Sequence, residues 1–282
     1  MRNREKARLS PLHSNRESCG HLIQMFIDTH CHLDYLPFSP RLPDILTSAS
    51  NCGVLGFIVP GVEPQSWERI ISLSREDERI FAAPGVHPMQ ADRWSAAAEK
   101  SLQRLLPDIV AVGEIGLDYS EKMPPRELQQ TVFRLQLKIA KGAGLPVIIH
   151  CRKAFADLLR LLAEEQVQEI GGVMHAFSGS VEIARACILL GLKIGIAGPV
   201  TWRNAVRPVK VVKEIPLQHL LLETDSPDIP PEPHRGEVNE PAFLVDIARK
   251  LAEIKGIAVE EVADVTTENA RDVFRLNNCC TA

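Results

Sequence analysis

Aromatic residues make up only 5% of this 282-residue chain, with two tyrosines and three tryptophans among them. So few rings fit poorly with an extended track that holds nucleic acid by base stacking. Charge of one sign is also scarce. The formal net charge is −4, which argues against a broad electrostatic grip on a polyanion and leaves room for a local basic patch. No run of about 18 apolar residues occurs, so no transmembrane helix is expected. The seven cysteines (Cys19, Cys31, Cys52, Cys151, Cys187, Cys279 and Cys280) include no C-x2-C pair of the kind that builds a thiolate zinc site. Cys31 and Cys151 each adjoin a candidate histidine ligand, where oxidation is a hazard, so a reducing cytoplasm is the expected setting. Cys279 and Cys280 are expected to be unpaired. A serine-hydrolase elbow is missing too, because Ser178 sits in His175-Ala176-Phe177-Ser178-Gly179 and not in G-x-S-x-G.

What the chain does have is a series of short apolar runs. Eight of them predict β-strands, at residues 26–29, 55–60, 80–85, 109–114, 147–150, 172–175, 193–197 and 220–224. Runs of this kind suit strands buried on both faces of a parallel sheet. Amphipathic stretches at 64–77, 96–106, 127–143, 154–165, 181–190 and 240–255 predict helices between them. In 127–143, Leu128, Val132, Leu135, Ile139 and Ala143 recur at helical spacing, and Gly142 and Gly144 end the helix. Repeated strand–helix units imply right-handed crossovers. The expected fold is α/β: a (β/α)8 TIM barrel in one domain at 26–278, with an extra C-terminal helix at 259–276 packed on the outside and a tail at 279–282. Residues 1–25 carry Arg2, Arg4, Lys6, Arg8 and Arg16 without the apolar core of a secretory signal. They are expected to be disordered, or an upstream extension of a protein whose functional start is Met25. A basic arm that helps to hold DNA is the other reading.

Six residues able to bind metal fall at or just past the ends of five of these runs: His30 and His32, Glu114, His150, His175 and Asp225. They follow strands 1, 4, 5, 6 and 8. A closed barrel brings all five strand ends to one rim, whereas an open sheet gathers its site at one switch point. Imidazoles and carboxylates are ligands that zinc, manganese and magnesium accept. In His30-Cys31-His32 the two rings face one side of a continuing strand, and Asp28 and Asp34 either orient them or cap a neighbouring turn. Glu114 stands between Gly113 and Gly116, where its two oxygens can serve two cations. Asp118 is either a helper base or an anchor for the loop. Asp225, before Ser226-Pro227, has turn chemistry as its alternative. The pieces sort into a two-metal arrangement, with His30, His32 and Asp225 at one ion, His150 and His175 at the other, and Glu114 bridging. In this scheme Glu114 and Asp225 are also the catalytic carboxylates, Asp225 accepting the proton of a metal-activated water.

The segments Asp28-Thr29-His30-Cys31-His32-Leu33-Asp34, Gly85-Val86-His87-Pro88, Gly113-Glu114-Ile115-Gly116-Leu117-Asp118, His150-Cys151-Arg152, His175-Ala176-Phe177-Ser178-Gly179 and Glu223-Thr224-Asp225-Ser226-Pro227 together resemble the TatD family of metal-dependent hydrolases. The resemblance runs from Phe26 to Leu276, with the motifs in the family's order. It implies a barrel of the amidohydrolase superfamily, a mono- or binuclear centre of divalent zinc, magnesium or manganese, and a 3′→5′ exonuclease-like DNase activity. It also implies metal-ligand roles for His30, His32, Glu114, His150, His175 and Asp225, and positions facing substrate for His87 and Arg152. One departure is Asp228-Ile229-Pro230 after Ser226-Pro227, where many members carry an aromatic residue. Arg203 and His234, with Lys153 and Arg235, are further candidates for phosphate contact at the rim, and Trp202 either stacks a base or packs under its loop. The expected partner is a DNA end, handled by a monomer. The alternative is a small ester, amide or phosphate hydrolysed by the same centre.

Overall fold

The computed structural model describes residues 25–276. The expectations for residues 1–24, for Cys279 and Cys280, and for the tail lie outside the described residues. Eight parallel strands alternate with helices: β1 (Phe26–Asp28), β2 (Val54–Pro60), β3 (Ile80–Ala83), β4 (Val112–Asp118), β5 (Val147–Arg152), β6 (Gly172–Met174), β7 (Leu192–Ile196) and β8 (Leu220–Leu222). The helices are α1 (Leu42–Asn51), α2 (Trp67–Glu76), α3 (Ala96–Leu105), α4 (Arg126–Ala143), α5 (Phe155–Glu164), α6 (Val181–Leu189), α7 (Arg207–Glu214), α8 (Leu244–Lys255) and α9 (Val259–Phe274). The strands pair in chain order as two ladders, β1-β2-β3 and β4-β5-β6-β7-β8. Backbone hydrogen bonds cross both seams. Val110 N donates to Ala82 O (3.0 Å) beside β3, and Thr29 N donates to Leu222 O (3.1 Å) between β8 and β1. The fold is the expected (β/α)8 TIM barrel.

Side chains alternate across each strand with period two, and this alternation builds two cores. Phe57, Val59, Val147, Ile149, Leu220 and Leu222 belong to the layer packed under the helices. Ile27, Ile58, Ala83, Ile148, Val173 and Leu221 form the separate inner layer. α9 completes that inner layer with Ala270 and Phe274, and Leu276 follows. The last helix, expected on the outside of the barrel, lies across the end where the strands begin. Asn269 Nδ2 donates to Leu217 O (3.0 Å) and Leu220 O (2.8 Å), and Thr267 Oγ1 donates to Met25 O (2.7 Å), clamping α9 to the entrances of β8 and β1.

Three differences from the expected elements have local causes. α1 opens on Leu42-Pro43 and carries Thr47, Ser48, Ser50 and Asn51, weak helix formers that hide its periodicity. α7 is only eight residues long, too short for a clear repeat. β4 begins and ends later than the apolar run at 109–114, because its ladder with β5 continues to Asp118 opposite Arg152. Glu114 and His150 consequently lie inside strands and not past their ends. No helix among the described residues is long and apolar enough to cross a membrane.

The clamp at α9 is testable. Asn269→Ala should lower the unfolding free energy by about 1–3 kcal/mol, because two buried carbonyls lose their donor. Urea titration should show the loss, while the reaction centre at the opposite end of the barrel stays intact.

Candidate metal centre

Glu114 and His150 project from within β4 and β5, the other side chains of the centre follow the carboxyl ends of their strands, and the seams of the barrel set their positions. β1 ends at Asp28, whose buried carboxylate accepts hydrogen bonds from His30 N (3.2 Å), Thr224 N (3.0 Å) and Thr224 Oγ1 (2.5 Å). This one carboxylate ties the segment bearing His30 and His32 to the segment bearing Asp225. His32 N donates to Ser226 O and Asp225 N to His30 O, both at 2.8 Å, extending the same seam. Burial raises the Asp28 pKa to about 7, against the lowering effect of its three hydrogen bonds. On β4 the backbone passes so close to β5 that a Cβ on Gly116, at φ +144°, would stand 2.0 Å from His150 O. Only glycine fits there, and its presence lets Glu114 and His150 approach each other. The Gly113–Glu114 and Ser226–Pro227 peptides are both cis.

Glu114 is the hub. Its Oε1 lies 2.8 Å from His150 Nδ1, 3.6 Å from His87 Nε2 and 3.9 Å from His175 Nε2, while its Oε2 lies 3.3 Å from His30 Nε2. Asp225 Oδ1 is 3.5 Å from His175 Nε2, 3.6 Å from His30 Nε2 and 3.8 Å from His32 Nε2. The His30 and His175 rings stack with centroids 3.4 Å apart. Among the described residues, three sets place one donor atom each within 4.8 Å of the others: His30, His32 and Asp225; His30, Glu114 and His175; and His87, Glu114 and His150. His175 thus groups with His30, and His150 with His87, where the sequence reading paired His150 with His175. The cause is visible in the rings. His175 stacks on His30 with Nδ1 3.0 Å from Glu223 Oε1, and His150 Nε2 is drawn 3.1 Å from Asp118 Oδ2.

The electrostatics follow from burial and close pairing. Burial, reinforced by the charge of His175, lowers the pKa of His30, and burial pushes His87 down to about 4. Burial would raise Glu114, but the surrounding His87, His175 and His30 outweigh it and hold the carboxyl well below its ordinary range. Asp225 is lowered in the same way, burial being overcome chiefly by His175. Burial opposes a charge on His150 as well, yet its bonds to Asp118 and Glu114 carry it up to about 9. Against burial, Glu223, Asp225 and Glu114 likewise hold His175 well above the ordinary imidazole range. In metal-free protein His150 and His175 therefore carry protons that a cation would displace. Two carboxylates among these imidazoles are a donor set that fits divalent cations.

The centre forms the floor of an open cavity of about 770 Å³. Asp34, Tyr35, Met89, Met123, Arg152 and Asp228 are among the residues that line its walls. His87 and Arg152 are among the lining residues. Arg203 and His234, the further candidates for phosphate contact at the rim, are not among the lining residues. Arg203 is 92% exposed and pairs with Glu232, while His234 stacks on Phe243 and pairs with Asp246 and Glu237. Nearby carboxylates and a ring hold both away from the cavity. Trp202, in the loop after β7, packs on the loop after β8, donating Nε1 to Pro230 O (2.9 Å) with Arg235 over its ring. Sequence reasoning missed Glu223, which is wholly buried, accepts from Ala176 N and sits so close over β7 that only Gly195 fits beneath it. Period two along β8 was the available signal: with Leu221 inward, Glu223 is inward too.

A parallel barrel whose strand ends bring imidazoles and carboxylates to one floor is the architecture of metal-dependent barrel hydrolases. The profile of the family described as TatD related DNase matches residues 27–275. The chain is 39% identical over 255 residues to the metal-dependent hydrolase YabD of Bacillus subtilis (strain 168), covering 90% of this chain and 100% of that protein. It is 35% identical over 259 residues to the 3'-5' ssDNA/RNA exonuclease TatD of Edwardsiella piscicida, covering 89% of this chain and 99% of the relative. Among solved structures, that of YjjV, a TatD homologue from Escherichia coli K12, matches with a TM-score of 0.86 at 36% identity, covering 90% of this chain and 99% of that one. The chain belongs to the TatD family of metal-dependent hydrolases.

The His150 ion pairs carry a pH signature in metal-free protein. A histidine whose pKa rises from 6.5 to about 9 on folding adds stability that is fully present below pH 6.5 and is lost as pH rises through 9. Asp118→Asn should lower the His150 pKa and flatten that loss. Ring-proton NMR titration and urea unfolding in chelator, at both ends of this window, check it.

Proposed function

We propose that the protein is a deoxyribonuclease that hydrolyses the terminal phosphodiester of DNA in the 3′→5′ direction, using two divalent ions (zinc, magnesium or manganese). The observation that carries this reading is the sharing of Glu114, with Oε2 toward His30 and Oε1 toward His150, His87 and His175. His30, His32 and Asp225 would hold one ion, and the residues around Glu114 Oε1 would hold the second. Divalent ions, when bound by these residues, would supply polarisation of a phosphoryl oxygen and a lowered pKa for water. Asp225, ionised and facing three imidazoles, accepts the proton of the attacking water. Buried Glu114 keeps the two positions in register. Arg152, at the cavity wall, binds a phosphate oxygen through its guanidinium. The Edwardsiella piscicida relative, named for exonuclease action on single-stranded DNA and RNA, supports the choice of bond.

A second reading, hydrolysis of a small ester, amide or phosphate, has one observation in its favour. Arg152 is the sole lysine or arginine among the described lining residues, which include the carboxylates Asp34, Glu114, Asp118, Asp225 and Asp228. A cavity of this volume also suits a small molecule.

End-labelled single-stranded DNA incubated with protein loaded with magnesium, manganese or zinc should be shortened from its 3′ end, and chelation should abolish the cleavage. Asp225→Ala should reduce kcat by about 10²–10⁴-fold, the range for losing a general base. Glu114→Ala should remove activity and reduce bound metal by elemental analysis. No cleavage above the Glu114→Ala background with any of the three metals sinks the nuclease reading, and turnover of chromogenic esters or phosphates by the same samples then selects the second.

A further inference from the structure

The cavity is electrically lopsided. Arg152 ends β5 and lines the wall, Lys153 follows it, and Lys122 lies in the loop after β4 next to the lining residue Met123. All three cations are exposed. In an eight-stranded barrel, the rim above β4 and β5 stands opposite the rim above β8 and β1. That opposite rim bears Asp34, after β1, and Asp228, after β8, both lining the cavity. There Arg235 lies over the Trp202 ring and His234 pairs with Asp246 and Glu237, while Arg69 reaches the rim through Asp34, donating Nε to Asp34 O (3.0 Å).

Asp228 is held firmly. Its N donates to Asp225 O (2.8 Å), and its carbonyl accepts from Nδ2 of the fully buried Asn239 (2.6 Å), which also donates to Thr224 O (2.8 Å). The Asp228 side chain nevertheless remains exposed to the cavity, near Asp225 and His32. A carboxylate placed beside a phosphodiester-cleaving centre accepts a hydrogen bond from a hydroxyl and repels a phosphate. A terminal phosphate monoester brings about −1.5 to −2 charges to that spot at neutral pH.

We propose that Asp228 is the end-recognition residue: it receives the free 3′-hydroxyl of the terminal sugar, while the phosphates of the strand leave over the Lys122, Arg152 and Lys153 side of the rim. The inference rests on the nuclease reading and adds to it a substrate class, strands with a hydroxyl terminus, and a direction of approach.

The test uses the full-length protein loaded with manganese and one single-stranded oligonucleotide made with either a 3′-hydroxyl or a 3′-phosphate. The wild type should cleave the hydroxyl end at least about tenfold faster in kcat/KM, given the cost of placing like charges together. Asp228→Asn and Asp228→Ser should each narrow that ratio to within about threefold, mainly by speeding cleavage of the phosphate end, because the repelling charge is gone. Arg152→Ala should raise KM for both ends alike. Equal rates on the two ends in the wild type, or an unchanged ratio in both Asp228 variants, overturns the assignment of Asp228 and leaves the nuclease reading standing. Absence of cleavage at either end removes the nuclease reading and this inference with it.

Discussion

A carboxylate removed from water is costly unless charges and hydrogen bonds of the opposite kind surround it, and Glu114 is only 3% exposed in the middle of this barrel. The imidazoles of His30, His87, His150 and His175 surround it, brought by the segments that follow β1, β3 and β6 and by β5. No single strand pair brings these rings together. They meet because the sheet closes on itself, so the buried charge and the closed barrel depend on each other. The same closeness holds Glu114 ionised and His30 neutral, which makes the floor receptive to divalent cations.

A further set of polar residues steadies this arrangement from beneath. Asp28 bridges the seam between β1 and β8, so His30 and Asp225 keep a fixed relation across a join that has no continuous ladder. Glu223 stands behind His175, and Asp118 stands behind His150. Asn239 holds the turn after Asp225 through two backbone carbonyls. Asp28, Glu223 and Asn239 are wholly buried and act from behind the centre, whereas Asp118 itself lines the cavity. Ring orientation at such a centre depends on partners of this kind as much as on the ligands themselves. At the other end of the barrel α9 shields the inner core from water, which separates the apolar floor of the barrel from its polar mouth.

Much of this was legible in the order of the residues. The apolar runs located all eight strands, since strands buried on both faces must be apolar throughout. The six candidate ligands were found because each lies near the carboxyl end of such a run, and period two along a strand says which side chains share a face. Local pattern failed where a segment has little pattern to show: α1 with its serines and threonines, α7 with eight residues, and β4, whose length depends on its neighbour. Which ring faces which carboxylate was not legible either. His175 groups with His30, and His150 with His87 and Asp118, through contacts between residues far apart in the chain. The surface cations show the limit most clearly. Arg152 and Arg203 look alike as residues near a rim, yet one lines the cavity and the other is paired with Glu232 in solvent. Periodicity and residue chemistry are properties of neighbours along the chain, whereas a side chain's partner is a property of distance in space, and only barrel closure sets that distance.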